Sequence, residues 1–301
     1  MTTPYAPAAD PAVPSGPAVV TDRTSLRRHR VALPAPVAVV MTMGALHEGH
    51  AALMRQARRR ASSVVVTIFL NPLQFGAGED LSAYPRTVDA DLALCARECV
   101  DVVFCPAPEV VYSDGEPQVR VTAGPLGDVL EGASRPGHFD GVLTVVAKLF
   151  HLTRPDLAYF GQKDAQQLML ISRMVRDLDL DVTVVPVPTV READGLARSS
   201  RNTYLGQQDR VHALALSRAL RAGEAAAPAG PDAVRHAASQ VLGEATGIDL
   251  DYCVLVAPAT LAEVGADFRG DALLAVAARV GPTRLIDNTT VWLTGLARGK
   301  V

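Results

Sequence analysis

The alternation of apolar strand-like runs with helix-period segments between residues 19 and 186 constrains the fold most strongly. The runs at 37–41 and 63–70 are rich in β-branched residues, and the second is apolar on both faces, as in strands buried within a parallel sheet. Further elements are predicted as helices over 47–61, 88–98, 141–152 and 164–177 and as strands over 100–105, 157–160 and 181–187. Strands that alternate with helices form βαβ units, so we predict an α/β fold with a parallel sheet.

The pattern changes after residue 188. An Ala- and Arg-rich helix is predicted over 209–225, a Pro-Ala-Gly-Pro breaker at 228–231 begins another helix, and strand-like runs follow at 250–256, 273–280 and 284–293. This mixture predicts a second, smaller α+β domain. The predicted organisation is a flexible Pro- and Ala-rich tail over 1–18, an α/β domain over 19–188 and a C-terminal domain over 189–301.

Composition excludes several classes of protein. The 29 Lys and Arg residues nearly balance 32 Asp and Glu residues, whereas nucleic-acid-binding proteins carry a basic excess or stripe. No uninterrupted apolar run reaches the roughly 18 residues that a bilayer crossing requires. The Pro-rich start lacks the regions of a signal peptide, and the four cysteines form no C-x-x-C pair. We therefore expect a cytoplasmic protein that acts on small molecules and binds neither nucleic acid nor membranes.

The segment 41–50 reads Met-Thr-Met-Gly-Ala-Leu-His-Glu-Gly-His and lies where a predicted strand turns into a helix. Gly44 and Gly49 allow a ligand to approach the backbone, and the amino end of a helix favours anions. His47 and His50 are three residues apart, so they share a face of the first helical turn and can donate hydrogen bonds to phosphate oxygens. A zinc-protease motif requires histidines four apart on a helix, so this segment does not match one.

Two further loops place polar side chains at the ends of predicted strands. Pro72 ends one strand at Asn71 and lets the Gln74 amide project from the loop, where an amide can hold a hydroxyl and a carboxylate. Lys163 follows another short strand and would face phosphates, and Asp164 beside it can cap a helix or hold Mg²⁺.

A fourth segment, 189–202, joins the two predicted domains and contains Ser199, Ser200 and Arg201. Hydroxyl, backbone N–H and guanidinium donors suit a mobile phosphate clamp. Each loop alone is also typical of an ordinary turn or a solvated helix start. In parallel sheets, however, ligands bind at the carboxyl ends of strands, near the switch in strand order. Together the four loops predict one phosphate site there.

In this order and at these separations, the four loops resemble the pantothenate synthetase (pantoate–β-alanine ligase) family of H-x-G-H nucleotidyltransferases. The resemblance runs from about residue 19 to 295 and includes the segments 84–87, 135–139 and 284–288. It implies a Rossmann-like nucleotidyltransferase domain with a smaller C-terminal lid, a homodimer, ATP as substrate and Mg²⁺ as cofactor. The implied reaction condenses pantoate with β-alanine through pantoyl adenylate and releases pyrophosphate and AMP.

The resemblance also implies site residues. For ATP they are Met43, Gly44, Ala45, Leu46, His47, Glu48, Gly49, His50, Gly161, Gln162, Lys163, Asp164, Val190, Arg198, Ser199, Ser200 and Arg201. Within this set, His50 matches the general acid, and the groups expected to offset phosphate charge with it are His47, Lys163, Ser199, Ser200 and Arg201. For the substrates, Gln74 and Gln167 match the residues that hold pantoate, and Asn71 lies in the matching loop. For Mg²⁺, Asp89 and Asp91 belong to an acidic patch.

Departures from the family pattern leave alternatives open. Met41 replaces a usual proline, Ala165 replaces a common aromatic residue, and Arg198 stands where an apolar residue usually precedes Ser-Ser-Arg. A diverged amide ligase with a different acid or amine is therefore one alternative. A non-catalytic nucleotide-binding paralogue and a relative of the aminoacyl-tRNA synthetases are two others. The presence of His47 and Lys163 argues against the paralogue, and the short, slightly acidic chain argues against the synthetase relative.

Overall fold

A six-stranded parallel sheet forms the centre of the first domain. The structure is a computed structural model and describes residues 16–76, 81–82 and 84–294. The strands are β1 (Ala18–Val20), β2 (Val37–Thr42), β3 (Ser63–Ile68), β4 (Val102–Phe104), β5 (Leu157–Gly161) and β6 (Thr183–Val187). The helices are α1 (Arg23–Ala32), α2 (Glu48–Arg60), α3 (Val88–Arg97), α4 (Pro108–Val111), α5 (Glu131–Ser134), α6 (His138–Thr153) and α7 (Ala165–Asp177). The predicted α/β class is confirmed.

The sheet is covered on both faces. Side chains of β2 alternate, so that Val39 packs in the cluster formed with α6, whereas Val40 packs in the cluster formed with α2. Both valines are fully buried, and so are Val65 and Val66 beside them on β3. Burial on both faces explains why these strands are almost continuous apolar runs in the sequence.

The direction in which strands are added reverses beside β2. The strand order is β1-β4-β3-β2-β5-β6, so the chain proceeds from β2 to β3 and β4 on one side and returns to add β5 and β6 on the other. At such a reversal a crevice opens outside the carboxyl ends of the strands. The loop that follows β2 and the loop that follows β5 therefore flank one crevice.

The first strand and first helix were missing from the sequence-based prediction. α1 carries four arginines and a histidine in ten residues and buries only Leu26, so it has too few apolar residues to stand out as a core helix in the sequence. β1 begins at Ala18 and pairs with β4, which shortens the predicted tail by one residue. Residues 1–15 of that tail lie outside the described part of the chain.

The C-terminal domain is a three-stranded antiparallel sheet with two helices. Its elements are α8 (Gln207–Ala225), α9 (Pro231–Gly243), β7 (Ile248–Val256), β8 (Gly270–Val280) and β9 (Thr283–Leu293), with strand order β7-β8-β9. Leu274 of β8 belongs to the core shared with α8, whereas Leu273 faces a cluster with Ala165 and Met169 of the first domain. Across the described residues, no helix combines the length and apolar character that a membrane crossing requires.

A polar network also fastens the two domains together. Arg284 of β9 donates from Nη1 to Oε2 of Glu131 over 2.6 Å and from Nη2 to Oε1 over 2.8 Å, and Glu131 belongs to α5. The Arg284 Nε donates to Asp251, and the Tyr252 hydroxyl donates to Glu131 over 2.7 Å. This two-point ion pair holds the C-terminal sheet beside the strand-end crevice.

Candidate active site

The turn between β2 and α2 forms the first wall of the site. Gly44 and Ala45 have φ values of +88° and +50°, so the backbone turns sharply there. His47 caps α2: its Nδ1 accepts a hydrogen bond from the Gly49 N–H over 3.1 Å, and the His47 N–H donates to Nδ1 of His50 over 3.2 Å. A Cβ on residue 49 would lie 2.8 Å from the His47 ring, so this cap requires glycine.

The same cap fixes the protonation of the two imidazoles. A ring nitrogen that accepts from a backbone N–H carries no proton, so each neutral ring bears its proton on Nε2. Burial, together with the smaller effect of the Lys163 and Arg198 charges, lowers the pKa of His47 to about 4. Burial also lowers the pKa of His50 to about 3, with a smaller contribution from His47. Near pH 7 both rings therefore offer neutral N–H donors instead of positive charge.

Asp91 holds this turn from α3. One carboxylate oxygen accepts from the Leu46 N–H over 2.8 Å and from the Thr87 hydroxyl over 3.1 Å, and the other accepts from the Ala45 N–H over 3.1 Å. Asp91 is only 2% exposed, whereas Asp89 is exposed and lines neither of the two cavities described below. Asp91 therefore positions the turn, and the Mg²⁺ site predicted at these two aspartates stays a prediction.

The second wall is the short helical turn Pro72–Gln74 that follows β3. Asn71 is fully buried, and its Nδ2 donates to Oε1 of Gln74 over 2.9 Å and to the Gly141 carbonyl over 3.1 Å. Its Oδ1 accepts from the Tyr112 hydroxyl over 2.8 Å. Through these contacts Asn71 orients the Gln74 amide, and Gln74 lines the cavity whereas Asn71 does not; substrate binding by Asn71 stays a prediction.

An apolar wall from α6 was not predicted as part of the site. Val142, Val145, Val146 and Leu149 line the cavity beside Gln74. Their i, i+3, i+4, i+7 spacing is visible in the sequence, but the same spacing marks any helix that packs on a core. Only the position of α6 against the Pro72–Gln74 turn shows that this stripe also faces a cavity.

Arg135 and His138 were also missing from the predicted site residues. Arg135 Nη2 donates to the Gln74 carbonyl over 3.2 Å, and His138 Nδ1 lies 2.8 Å from the same oxygen. Both side chains line the cavity. The segment 135–139 contributed to the family resemblance, but nothing in its local pattern placed it beside Gln74.

Lys163 and Asp164 form the third wall, at the end of β5. The Lys163 side chain is 20% exposed, and its Nζ lies 4.0 Å from a carboxylate oxygen of Asp164. Asp164 stands at the N-cap position of α7 but makes no side-chain hydrogen bond to the first turn of that helix. Its half-exposed carboxylate lines the cavity instead.

The segment around Ser199 forms the fourth wall. Ser199 accepts the Arg201 N–H over 3.3 Å, and Ser200 Oγ donates to the Ala45 carbonyl over 3.1 Å. The second contact joins the loop between the domains to the turn that carries His47. Arg198, which departs from the family pattern, forms an ion pair with Glu192, with 3.5 Å between Nη1 and Oε1.

The four walls enclose one cavity of about 260 Å³. Its predicted lining residues are Met43, His47, Gly49, His50, Gln74, Gly161, Lys163, Asp164, Gln167, Val190, Arg198, Ser199, Ser200 and Arg201. A second cavity of about 550 Å³ adjoins the first and extends to the C-terminal sheet. The residues that line both cavities are Arg135, His138, Lys163, Asp164, Gln167, Ser199 and Arg201. Predicted residues that line neither cavity are Gly44, Ala45, Leu46, Glu48, Asn71, Asp89, Asp91 and Gln162.

The parallel sheet carries an H-x-G-H turn, a lysine loop and a serine–arginine loop around one cavity at its strand ends. This combination defines a Rossmann-like nucleotidyltransferase. The family model described as pantoate-beta-alanine ligase matches residues 18–290. The chain belongs to this family and is an acid–amino-acid ligase.

Individual relatives agree with this assignment. Pantothenate synthetase 4 of Frankia alni is 65% identical over 256 residues, which cover 85% of this chain and 83% of the relative. The crystal structure of pantothenate synthetase from Thermus thermophilus has a TM-score of 0.87 at 46% identity and covers 91% of this chain and 99% of its own. A pantoate-beta-alanine ligase from Francisella tularensis, complexed with beta-gamma ATP and beta-alanine, has a TM-score of 0.75 at 32% identity, with 91% and 97% covered.

Proposed function

We propose that the chain condenses pantoate with β-alanine at the expense of ATP, through pantoyl adenylate, and releases pyrophosphate and AMP. The observation that carries the proposal is the convergence of His47, His50, Lys163, Ser199 and Arg201 on one cavity. The Francisella relative complexed with ATP and β-alanine supports the choice of two of the substrates.

Activation by adenylation follows from the chemistry of the acid. A carboxylate is a poor acceptor for an amine, because its charge repels the nucleophile and oxide is a bad leaving group. In the first step a carboxylate oxygen of pantoate bonds to the α-phosphorus, and the bond from that phosphorus to the β-phosphate bridging oxygen breaks. In the second step the β-alanine nitrogen bonds to the acyl carbon, and AMP leaves with its bonding electron pair and the oxygen that came from pantoate.

The acid subsite combines amides with an apolar wall. Pantoate carries two hydroxyls, a carboxylate and a carbon with two methyl groups. The stripe of Val142, Val145 and Val146 suits the methyl groups, and the amides of Gln74 and Gln167 suit the oxygens. Because Asn71 donates to the Gln74 oxygen, the Gln74 amide is turned so that its nitrogen serves as the donor to the acid.

The phosphate subsite works by placing donors before charge accumulates. The Nε2–H groups of His47 and His50 and the cation of Lys163 face the region that the triphosphate would fill, with the hydroxyls and Arg201 of the fourth wall opposite. The negative charge of ATP would raise the pKa of His50, which supports the general-acid role that the family resemblance implies for this residue.

The residues present also suit Mg²⁺. This ion prefers oxygen ligands and commonly binds phosphates together with one or two carboxylates. Asp164 offers a half-exposed carboxylate on the cavity beside Lys163, so Asp164 would hold Mg²⁺ against the phosphates. When bound, the ion neutralises phosphate charge and assists pyrophosphate departure.

The second substrate needs a place for its own carboxylate. Arg135 lies on the cavity next to the Gln74 carbonyl, and a guanidinium is the side chain best shaped for a carboxylate. Holding β-alanine there would direct its amine towards the acyl carbon of the adenylate. His138 contacts the same carbonyl and would keep that end of the subsite in place.

The family resemblance further supports a homodimer that works in the cytoplasm, where ATP is abundant. Light scattering on the purified chain tests the dimer: a mass near 63 kDa, twice the 31.7 kDa of one chain, supports it, and a mass near 31.7 kDa overturns it.

Mass spectrometry of a reaction with MgATP, pantoate and β-alanine tests the proposed function. We expect AMP, pyrophosphate and the amide in equal amounts, formed about 10²-fold or more slowly by Lys163→Ala protein. ADP with phosphate in place of AMP would contradict adenylation. A panel of acids in ATP–pyrophosphate exchange tests substrate choice, and a better acid than pantoate would favour the diverged-ligase alternative.

A further inference from the structure

Two buried polar residues on β9, Asp287 and Asn288, have no part in the chemistry proposed above. They are 4% and 9% exposed and stand side by side on a strand of the C-terminal domain. Buried polar side chains are costly unless they are hydrogen-bonded, so their partners indicate why they are there.

Asn288 reaches into the first domain. Its Nδ2 donates to the Gln162 carbonyl over 3.0 Å and to the Lys163 carbonyl over 2.7 Å. These carbonyls belong to the two peptide groups on either side of the Lys163 Cα. Holding both peptide planes fixes the direction in which the Lys163 side chain leaves the backbone.

Asp287 holds the other phosphate-facing loop. Its two carboxylate oxygens accept from Nη1 of Arg191 over 2.6 Å and from Nη2 over 3.0 Å, and one of them also accepts from the Asn288 N–H over 2.8 Å. Arg191 donates in addition to the Gly195 carbonyl over 3.2 Å and is bridged to Ala197. The ion pair therefore fixes the hairpin that leads directly into the fourth wall of the cavity.

We propose that Asp287 and Asn288 are a positioning pair that sets Lys163 against the segment 199–201. The third and fourth walls then take their working geometry only when the C-terminal strand β9 is docked on the first domain. The inference rests on the proposed ATP site, and neither residue needs to touch the substrate, because each acts through backbone or through Arg191.

A thermodynamic cycle on ATP affinity tests the pair. By calorimetry we expect Asn288→Ala to weaken ATP binding about tenfold, which corresponds to the loss of one or two ordinary hydrogen bonds. In Lys163→Ala protein the same change should weaken binding less than about twofold, because residues that act as a unit are not additive. An equal loss in both backgrounds, or no loss in either, would overturn the proposal.

Two further variants separate hydrogen bonding from shape. Asn288→Asp keeps the size of the side chain but cannot donate to carbonyls, so it should lose as much affinity as Asn288→Ala. Thr290→Ala, at an exposed position of the same strand, should bind ATP as the unaltered chain does. Full affinity in Asn288→Asp protein would show that the residue acts through packing, which contradicts the proposal.

Hydrogen exchange without nucleotide distinguishes this inference from the proposed function. We expect Asn288→Ala to speed exchange in residues 161–166, and Asp287→Asn to speed it in residues 191–201, with Thr290→Ala unchanged. If the unaltered chain bound no ATP, the proposed function would be overturned. The exchange result would still decide whether Asp287 and Asn288 hold the two loops, because it needs no nucleotide. Unchanged exchange in both segments would overturn the coupling.

Discussion

Replacement of Asp91 by asparagine changes the support of the H-x-G-H turn without touching the cavity. The carboxylate accepts the N–H groups of Ala45 and Leu46 on different oxygens, over 3.1 and 2.8 Å. Asparagine keeps one oxygen and presents an NH₂ group to the other donor. A donor left without an acceptor costs about 1–3 kcal/mol. Because Ala45 and Leu46 are only partly buried, we expect the lower part of that range, about 1–2 kcal/mol.

This loss should fall mainly on nucleotide binding. Ala45 has a φ of +50°, a left-handed conformation that persists only where its surroundings hold it. A released turn relaxes and misplaces His47 and His50. Since about 1.4 kcal/mol corresponds to a tenfold change in affinity, we expect the Kd for ATP to rise about tenfold in Asp91→Asn protein. The pantoate subsite lies on other elements, so its Kd should stay within about twofold of the original.

Calorimetric titrations with MgATP and with pantoate measure both constants. Asp89→Asn is the matched control, since Asp89 is an exposed residue of the same helix and surface changes usually cost less than about 0.5 kcal/mol. The role of Asp91 in holding the turn would be refuted if both variants needed more Mg²⁺ to the same extent and bound ATP normally once Mg²⁺ was saturating. That result would favour the Mg²⁺ site predicted at Asp89 and Asp91.

Three other perturbations have distinct expected outcomes. His50→Ala or Lys163→Ala should slow single-turnover adenylate formation by about 10²-fold or more, as removal of one preorganised donor does, and near-parental rates would remove the residue from its role. Gln74→Ala should weaken pantoate binding and spare ATP binding in calorimetry, whereas the reverse pattern would place Gln74 outside the acid subsite. In the folded chain the pKa of His50 is lowered from 6.5 to about 3, so the unfolded chain binds more protons and stability falls as pH drops below 6.5. His50→Gln should reduce the slope of the unfolding free energy against pH by up to about 1.4 kcal/mol per pH unit between pH 6 and 4. Urea unfolding at several pH values measures this slope, and equal slopes for the two proteins would contradict the low pKa.

Much of the fold could be predicted because burial leaves a local signature. β3 is buried at every position, and five of its six residues are β-branched, which is typical of a strand covered on both faces. α1 could not be predicted, because a ten-residue helix that carries four arginines and buries only Leu26 has too few apolar residues to mark its buried face. The start of α2 near His47 was predicted, whereas the cap that His47 forms with the Gly49 N–H was not.

The site was predicted in part for a related reason. Loops at strand ends must meet where the strand order reverses, so Lys163 and His50 could be placed together without coordinates. The roles of Asn71 and Asp91 could not, because an amide or a carboxylate near a site can bind a ligand or hold a loop, and only its hydrogen-bond partners distinguish the two. Those partners are Tyr112 for the first and the N–H groups of the turn for the second.

Transfer of ¹⁸O from the carboxylate of labelled pantoate is the most direct measurement of where on ATP the acid attacks. If the donors around His50 and Lys163 direct pantoate to the α-phosphorus, a complete reaction with β-alanine must leave one ¹⁸O atom in AMP. Mass spectrometry of the nucleotide product shows it. Label in inorganic phosphate, with unlabelled ADP, would mean that the attack falls on the γ-phosphorus and that the cavity does not hold the triphosphate as proposed.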